Sequence, residues 1–161
     1  SSPQQSEPRN VRVAAVSPAA FTFEFGGGPA AIVNVKMSAD DGVIDASIAQ
    51  PEGSLPGASP QPARRGGVIS IYTTGLGDVS PAARDGENSL DVLRHTARTP
   101  RVLIGGTETE ILFSGLAPQF VGVYQINARI SPDAPTGDAI PLQIVFDEST
   151  SRGDVTLAIR P

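Results

Sequence analysis

The chain has 161 residues, a net charge of −5, no cysteine, 17 glycines and 15 prolines. This length suits one domain, alone or with an arm, and falls short of two ordinary domains. The lack of cysteine excludes disulfides, a thiolate nucleophile and cysteine metal ligands. A negative charge without a basic stripe argues against nucleic acid as a partner, and no apolar run reaches the length of a membrane span.

The first predicted element is an N-terminal arm, residues 1–18. A polar, proline-containing lead-in over 1–8 precedes a segment, 10–18, whose apolar residues alternate and which ends at proline. The C-terminal segment 154–161 repeats this form, and both patterns are typical of half-buried strands. The alternating residues are Val11, Val13 and Ala15 in the first segment, and Val155, Leu157 and Ile159 in the second. A fold with one slot and two such strands can place the spare strand in a neighbouring molecule.

The next segments alternate in the same way and predict two strands, 21–25 and 31–37, followed by a hairpin. Its turn is Asp40-Asp41-Gly42, because glycine after aspartate accepts the positive φ of a tight turn, and its return strand is 43–48. Four prolines between residues 50 and 67 remove the amide donors that a strand needs, so we expect a surface loop there. The segment 68–74 is rich in β-branched residues and partly apolar on both faces, which predicts a central strand.

Residues 78–100 read as a second long irregular stretch, in which Ser89 to His95 allow at most a turn or two of helix. The rest is regular and predicts a hairpin of 101–104 with 108–113 across Gly105-Gly106, and strands at 121–130, 140–146 and 154–160. Turn residues at such intervals favour an all-β fold. We therefore predict an immunoglobulin-like antiparallel β-sandwich over residues 19–161, with an extended N-terminal strand in 1–18.

Four blocks in order carry a resemblance to a known family. They are Arg65 to Gly77 (RGGVISIYTTGLG), Ile104-Gly105-Gly106, Phe113 to Pro118 (FSGLAP) and Val121 to Asn127 (VGVYQIN). At this spacing the chain resembles the Solibacter-type C-terminal domain family over roughly residues 18 to 161. That resemblance implies an exported immunoglobulin-like sandwich from a bacterial secreted protein, with an extracellular or cell-surface location and with no established catalytic residues.

The resemblance also bears on the arm. Members of the family look as though their last strand is followed by a short proline- and alanine-containing phrase, and residues 11–21 have that shape. The arm is thus similar to the closing strand of a preceding domain, and the chain is expected to be a processed product or a fragment. We expect a structural subunit that polymerises into a fibre or array by donating this strand to the next copy. The expected subunit-interface residues are Val11, Val13, Ala15, Val16 and Phe21.

Two other interpretations stay open. The protein is a carbohydrate-binding or adhesion module with surface glycans as partners, using the loops 50–66 and 78–100, or residues 10–17 pair within their own domain. No enzyme is expected, because the chain has no cysteine, a single histidine, His95, with no Gly-x-Ser-x-Gly elbow, and no paired carboxylates at a strand end. No cofactor is expected either. Weaker candidates are a calcium site at Asp40, Asp41 and Asp45, an adhesion tripeptide at Arg152-Gly153-Asp154, and a sugar platform of Tyr72, Phe120 and Tyr124.

Overall fold

The computed structural model describes residues 9–10, 13–24, 27–38 and 42–161, and for 36–38 and 42–45 it describes the backbone alone. Its strands, in chain order, are β1 (Ala19–Ala20), β2 (Thr22–Glu24), β3 (Gly27–Ala30), β4 (Ile32–Ser38), β5 (Gly42–Asp45), β6 (Ala63–Arg64), β7 (Val68–Thr74), β8 (Val79–Ser80), β9 (His95–Thr96), β10 (Arg101–Ile104), β11 (Thr107–Glu108), β12 (Glu110–Leu116), β13 (Tyr124–Arg129), β14 (Gly137–Phe146), β15 (Ser149–Thr150) and β16 (Val155–Arg160).

These strands form two packed sheets. The first has the order β5-β4-β7-β13-β12-β9-β8, with β1 beside β7; the second has the order β11-β10-β14-β16-β3-β2, with β15 beside β14 and β6 beside β16. The predicted all-β sandwich is confirmed, and β7 is central in its sheet as expected. The second sheet is mixed and not purely antiparallel, because β3 and β6 both run parallel to β16.

The core lies between the inner faces of the sheets. In the first sheet Ile32, Ile71 and Ile126 stand side by side on β4, β7 and β13, all fully buried. Leu142 on β14 and Leu157 on β16 close the core from the second sheet. Alternation produces this layer, since residues two apart on a strand point to the same face.

Near its N-terminus the chain pairs with both sheets. Ala19 and Ala20 pair with Thr74 and Thr73 on the β7 edge that β4 occupies further along. At Phe21 the amide donates to the Tyr72 carbonyl, 3.0 Å away, and β2 then joins the second sheet through β3. The predicted strand 21–25 is thus present as β2, and the chain passes from one sheet to the other at its start.

A second change of sheet corrects a sequence prediction. The hairpin across Gly105-Gly106 exists, but only Thr107 and Glu108 pair with β10. The amide and hydroxyl of Thr109 both donate to the Val102 carbonyl, 2.9 and 3.1 Å away, and β12 continues in the first sheet beside β13. Residues 108–113 were predicted to pair as one strand with 101–104, but the pairing with β10 ends at Thr109 and β12 belongs to the other sheet.

The strand β16 has neighbours on both sides. One edge pairs with β14; along the other lie Gly28 and Pro29 of β3, then Ala49, whose carbonyl accepts from the Ala158 amide at 3.1 Å, then β6. The Gln50 amide group also donates to the Thr156 carbonyl, 3.0 Å away. The slot of the closing strand is therefore filled by the chain itself.

The remaining predicted elements are largely confirmed. The hairpin of β4 and β5 is antiparallel, while its turn residues Asp40 and Asp41 lie outside the described residues. The predicted strand 121–130 is shorter, as β13, and the short helix allowed between Ser89 and His95 is absent from that segment, which is a series of bends. Within the described ranges, the structure contains no helix of the length and apolar character that crossing a bilayer requires.

Candidate functional site

The described residues of the arm that precede Val16, 9–10 and 13–15, are solvent-exposed. Among the expected interface residues, Val13 is 88% exposed and Ala15 is exposed, whereas Val11 lies outside the described residues. Residues 13–18 belong to no strand, so the alternation in this segment is not used by pairing within the chain. A side chain as exposed as that of Val13 buries almost no apolar surface within its own fold, so it adds almost nothing to the stability of the domain.

The arm joins the sandwich at Val16 and Ser17. Val16 is half-buried against the core, and the Ser17 amide donates to the Gly75 carbonyl at 2.9 Å. Gly75 has a φ of +76°, and a β-carbon there would overlap the Ser17 carbonyl oxygen. Glycine is therefore required at position 75 for both its backbone angle and its close approach to the arm.

The arm and the C-terminal strand reach opposite ends of the sandwich. At the end where β7 finishes, the arm pole, Val16 lies beside Ser149, whose hydroxyl is 3.5 Å from the Val16 carbonyl. At the other end, the tail pole, the Arg65 amide donates to the Arg160 carbonyl at 3.1 Å, beside the start of β7. The chain therefore arrives at one pole and leaves its last strand at the other.

Phe21, the remaining expected interface residue, lies on the side of the sandwich. Its side chain is 42% exposed, and its carbonyl accepts from the Ala31 amide at 2.7 Å. The structure thus places Val13 and Ala15 on the free part of the arm, Val16 at its anchor and Phe21 beyond the anchor.

A second candidate site is the outer face of the first sheet. In one cross-strand row Tyr72 pairs with Gln125, Gln125 with Gly115, and Gly115 with His95. The neighbouring row places Ser70, Asn127 and Phe113 side by side. These residues point outward because the row between them, with Ile71 and Ile126, is buried in the core.

Two of the three aromatic residues of the predicted sugar platform meet here. The rings of Tyr72 and Phe120 lie 6.1 Å apart at 80°, in a T-shaped arrangement. They line a cleft of about 150 Å³ together with Gln119 and Gln125. We call these four residues, Tyr72, Phe120, Gln119 and Gln125, the aromatic corner.

Tyr124, the third predicted platform residue, is turned elsewhere. Its ring packs against the core, and its hydroxyl donates to the Gly77 carbonyl at the arm pole. Burial, and to a smaller extent the Asp78 carboxylate, raise the pKa of Tyr124. Tyr124 therefore supports the Gly75–Gly77 segment against which the arm rests.

The weaker sequence candidates are separate from one another. His95 is exposed at the end of the outer-face row, with its ring 5.2 Å from that of Phe113. The side chains of Arg152 and Asp154 pair with each other at 2.6 Å, so the tripeptide's two charges are already engaged. The calcium candidates Asp40 and Asp41, and the Asp45 side chain, lie outside the described residues, and the described part holds no group of three or more metal-ligating side chains.

Comparison of the chain with protein-family models, with curated proteins and with solved structures found no match. The resemblance to the Solibacter-type C-terminal domain family therefore stays a prediction. The sites described above rest on geometry alone.

Sequence reasoning missed two features of these sites. Gln125 and Asn127, two residues apart on β13, form a polar network with Ser70, in which the Gln125 amide donates to Asn127 Oδ1 at 2.8 Å. Ser70 donates to the same oxygen at 2.7 Å. Amides at alternate positions of β13, on either side of the buried Ile126, were the available signal.

The second missed feature is Arg94, the buried centre of the 87–94 loop. Its guanidinium forms two hydrogen bonds with Asp91, at 2.7 and 3.2 Å, and also contacts the Asn88 carbonyl and Glu87. The hydrogen bond from Arg94 lowers the pKa of Asp91. The local sequence could not predict the burial of Arg94, because an arginine among polar loop residues is usually exposed to solvent.

Proposed function

We propose that this protein is a non-catalytic structural subunit of an extracellular fibre or surface array, with an immunoglobulin-like sandwich. In the assembly, the N-terminal arm of one copy pairs with the sandwich of the next. One observation carries the proposal: Val13 is 88% exposed three residues before the arm is fixed at Val16. The apolar alternation of the arm is therefore available to a partner, and its direction is set by the anchor.

The anchor of the arm at Val16 and the end of β16 lie at opposite poles of the sandwich, which supports a head-to-tail assembly. A contact between the arm of one copy and a different surface of the next is heterologous, and it produces an open filament when the rotation between successive copies does not close into a ring. We expect the open filament here. The arm leaves from the arm pole, while β16 ends at the tail pole.

Both edges of β16 are already paired within the chain, and this limits where the arm of another copy can bind. Because β3, Ala49 and β6 already cover the free edge of β16, the donated strand adds at an edge and does not complete a core. Of the described strands that end a sheet, β5 is the longest, with four residues against three for β2 and two for β8 and β11. We take β5 as the acceptor, since a longer edge offers more main-chain hydrogen bonds.

The test compares two variants that add the same charge to exposed apolar positions. Val13→Asp places a carboxylate in the donated strand, whereas Leu90→Asp places it on a loop residue that is 66% exposed. Light scattering over a wide concentration range, with negative-stain images, should show assembly of the full chain and of Leu90→Asp. Val13→Asp should stay monomeric, because burying the new charge is unfavourable.

A full chain that is monomeric at every concentration would refute the proposal and favour pairing of residues 10–17 within their own domain.

The acceptor is tested separately by mixing the single-cysteine variants Val13→Cys and Ile44→Cys, because the chain has no other cysteine. A disulfide between the two variants supports β5. Assembly without this disulfide would retain the function and reject β5 as acceptor.

A further inference from the structure

The aromatic corner is a recess of defined shape. In the T-shaped pair one ring presents its edge to the other, so Tyr72 and Phe120 form two walls at nearly a right angle. The cleft of about 150 Å³ is smaller than the roughly 300–1,000 Å³ of pockets that enclose a whole small molecule. It therefore suits one ring of a longer ligand.

Main-chain hydrogen bonds fix the turn that carries Phe120. The Phe120 amide donates to the Ala117 carbonyl at 3.2 Å, and the Ala117 amide donates to the Val123 carbonyl at 2.8 Å. The neighbouring loop adds a bond from the Ser89 amide to the Pro118 carbonyl at 3.1 Å. Phe120 is thus held although its side chain is 51% exposed, which lowers the entropy cost of binding.

The polar network beside the corner orients the Gln125 amide group. Its nitrogen donates to Asn127 Oδ1, and that oxygen is held in turn by Ser70. This arrangement leaves Gln125 Oε1 to accept a hydrogen bond at the edge of the cleft. Gln119, which is exposed and also lines the cleft, provides a second amide.

A second aromatic pair continues the surface across the sheet. The Phe113 ring covers Gly115, where a β-carbon would lie 2.7 Å from Cζ of the ring, and His95 stands against Phe113. Tyr72 and His95 are three strand spacings apart in one row, which is about 14 Å. This distance spans more than one ring of an extended ligand.

The composition of this surface indicates the class of ligand. Aromatic faces stack on the C–H faces of pyranose rings, and amides exchange hydrogen bonds with their hydroxyl groups. Between Tyr72 and His95 the row holds Gln125 and Gly115, neither of them charged. We propose that the aromatic corner and the outer-face row bind a linear, neutral oligosaccharide, with one ring in the corner and the chain running toward Phe113. This site is separate from the arm.

The test is a titration of the full-length protein with linear hexasaccharides of glucose, xylose, mannose and N-acetylglucosamine, followed by calorimetry and by NMR shifts. We expect at least one to bind, with the largest shifts at Gln125 and Phe120. Phe120→Ala should lose roughly tenfold or more in affinity. Val121→Ala, in the same turn and 56% exposed, is the matched control and should bind normally.

The arm variant Val13→Asp should keep its saccharide affinity, which separates this site from assembly. The proposal is overturned if none of the four hexasaccharides binds at millimolar concentration, or if Phe120→Ala binds as well as the parent chain. Preference for an acidic oligogalacturonate would contradict the neutral surface. Binding of a polyproline peptide in place of every saccharide would assign the corner to a protein ligand and reject the proposal.

Discussion

The Ser17 amide donates a hydrogen bond to the Gly75 carbonyl, and this bond marks the point where the arm joins its own sandwich. Residues 13–15 before it are exposed, Val16 packs against the core, and Ala19 and Ala20 after it pair with β7. The same glycine ends the central strand, so the anchor of the arm is built into the core sheet. Five predictions test this anchor and the loops around it.

Replacing Gly75 should destabilise the domain much more than replacing a comparable glycine elsewhere. Gly75→Ala meets both the unfavourable φ and the Ser17 carbonyl oxygen, so we expect a loss of about 3 kcal/mol or more in the free energy of unfolding. Gly86→Ala is the control: its φ of +77° is nearly the same, but nothing lies within 4 Å. It should cost about 1–2 kcal/mol. Equal losses in urea unfolding would contradict the steric account.

A charge placed at Val16 should destabilise the domain, whereas the same charge at Val13 should not. Val16→Asp puts a carboxylate against the core and should lower the unfolding free energy by about 1–3 kcal/mol. Val13→Asp, at an exposed position, should change it by less than about 0.5 kcal/mol. The comparison is made by thermal unfolding at low protein concentration. A similar loss in both variants would mean that Val13 is packed within its own chain.

Arg94 should control the rigidity of the 87–94 loop. Arg94→Lys keeps the charge but loses the two-pronged contact with Asp91, so limited proteolysis of the loop should become several-fold faster. Arg84→Lys, at an exposed position nearby, is the control and should behave as the parent does.

The same contact predicts a dependence on acid. Because Arg94 lowers the pKa of Asp91, the stabilisation is complete above the ordinary aspartate value of about 3.9 and is lost as pH falls through the lowered pKa. Loop cleavage by an acid-active protease should accelerate in that range. A parent and an Arg94→Lys variant with identical pH profiles would argue against the pair.

Tyr124 should make the domain sensitive to alkali. Its raised pKa means that its contribution is complete below the ordinary tyrosine value of about 10 and is lost as pH rises through the raised pKa. Tyr124→Phe should lose about 1 kcal/mol at neutral pH with the bond to Gly77, and should show a flatter decline above pH 10. Tyr72→Phe on the outer face is the control. An unchanged alkaline decline in Tyr124→Phe would exclude this residue as its source.

The sequence by itself determined the class of fold and the inner faces of the main strands. β-branched residues in 68–74, alternation in 154–160 and proline in 50–67 act through local backbone geometry, so they predicted β7, β16 and the loop before β7 directly. The same local pattern in residues 10–17 could not show where that strand goes, because pairing partners are chosen by contacts distant in sequence.

Tertiary structure decided those distant choices. Ala49 and β6 bind along the free edge of β16. After Thr109 the chain leaves β10 and continues as β12 in the other sheet. The ring of Tyr72 packs against that of Phe120, with 47 residues between them in the chain. Each depends on which surfaces remain uncovered after the core has packed, a property of the whole chain that no local period encodes. The arm was visible in the sequence, whereas its anchor at Gly75 and the aromatic corner exist only in the folded domain.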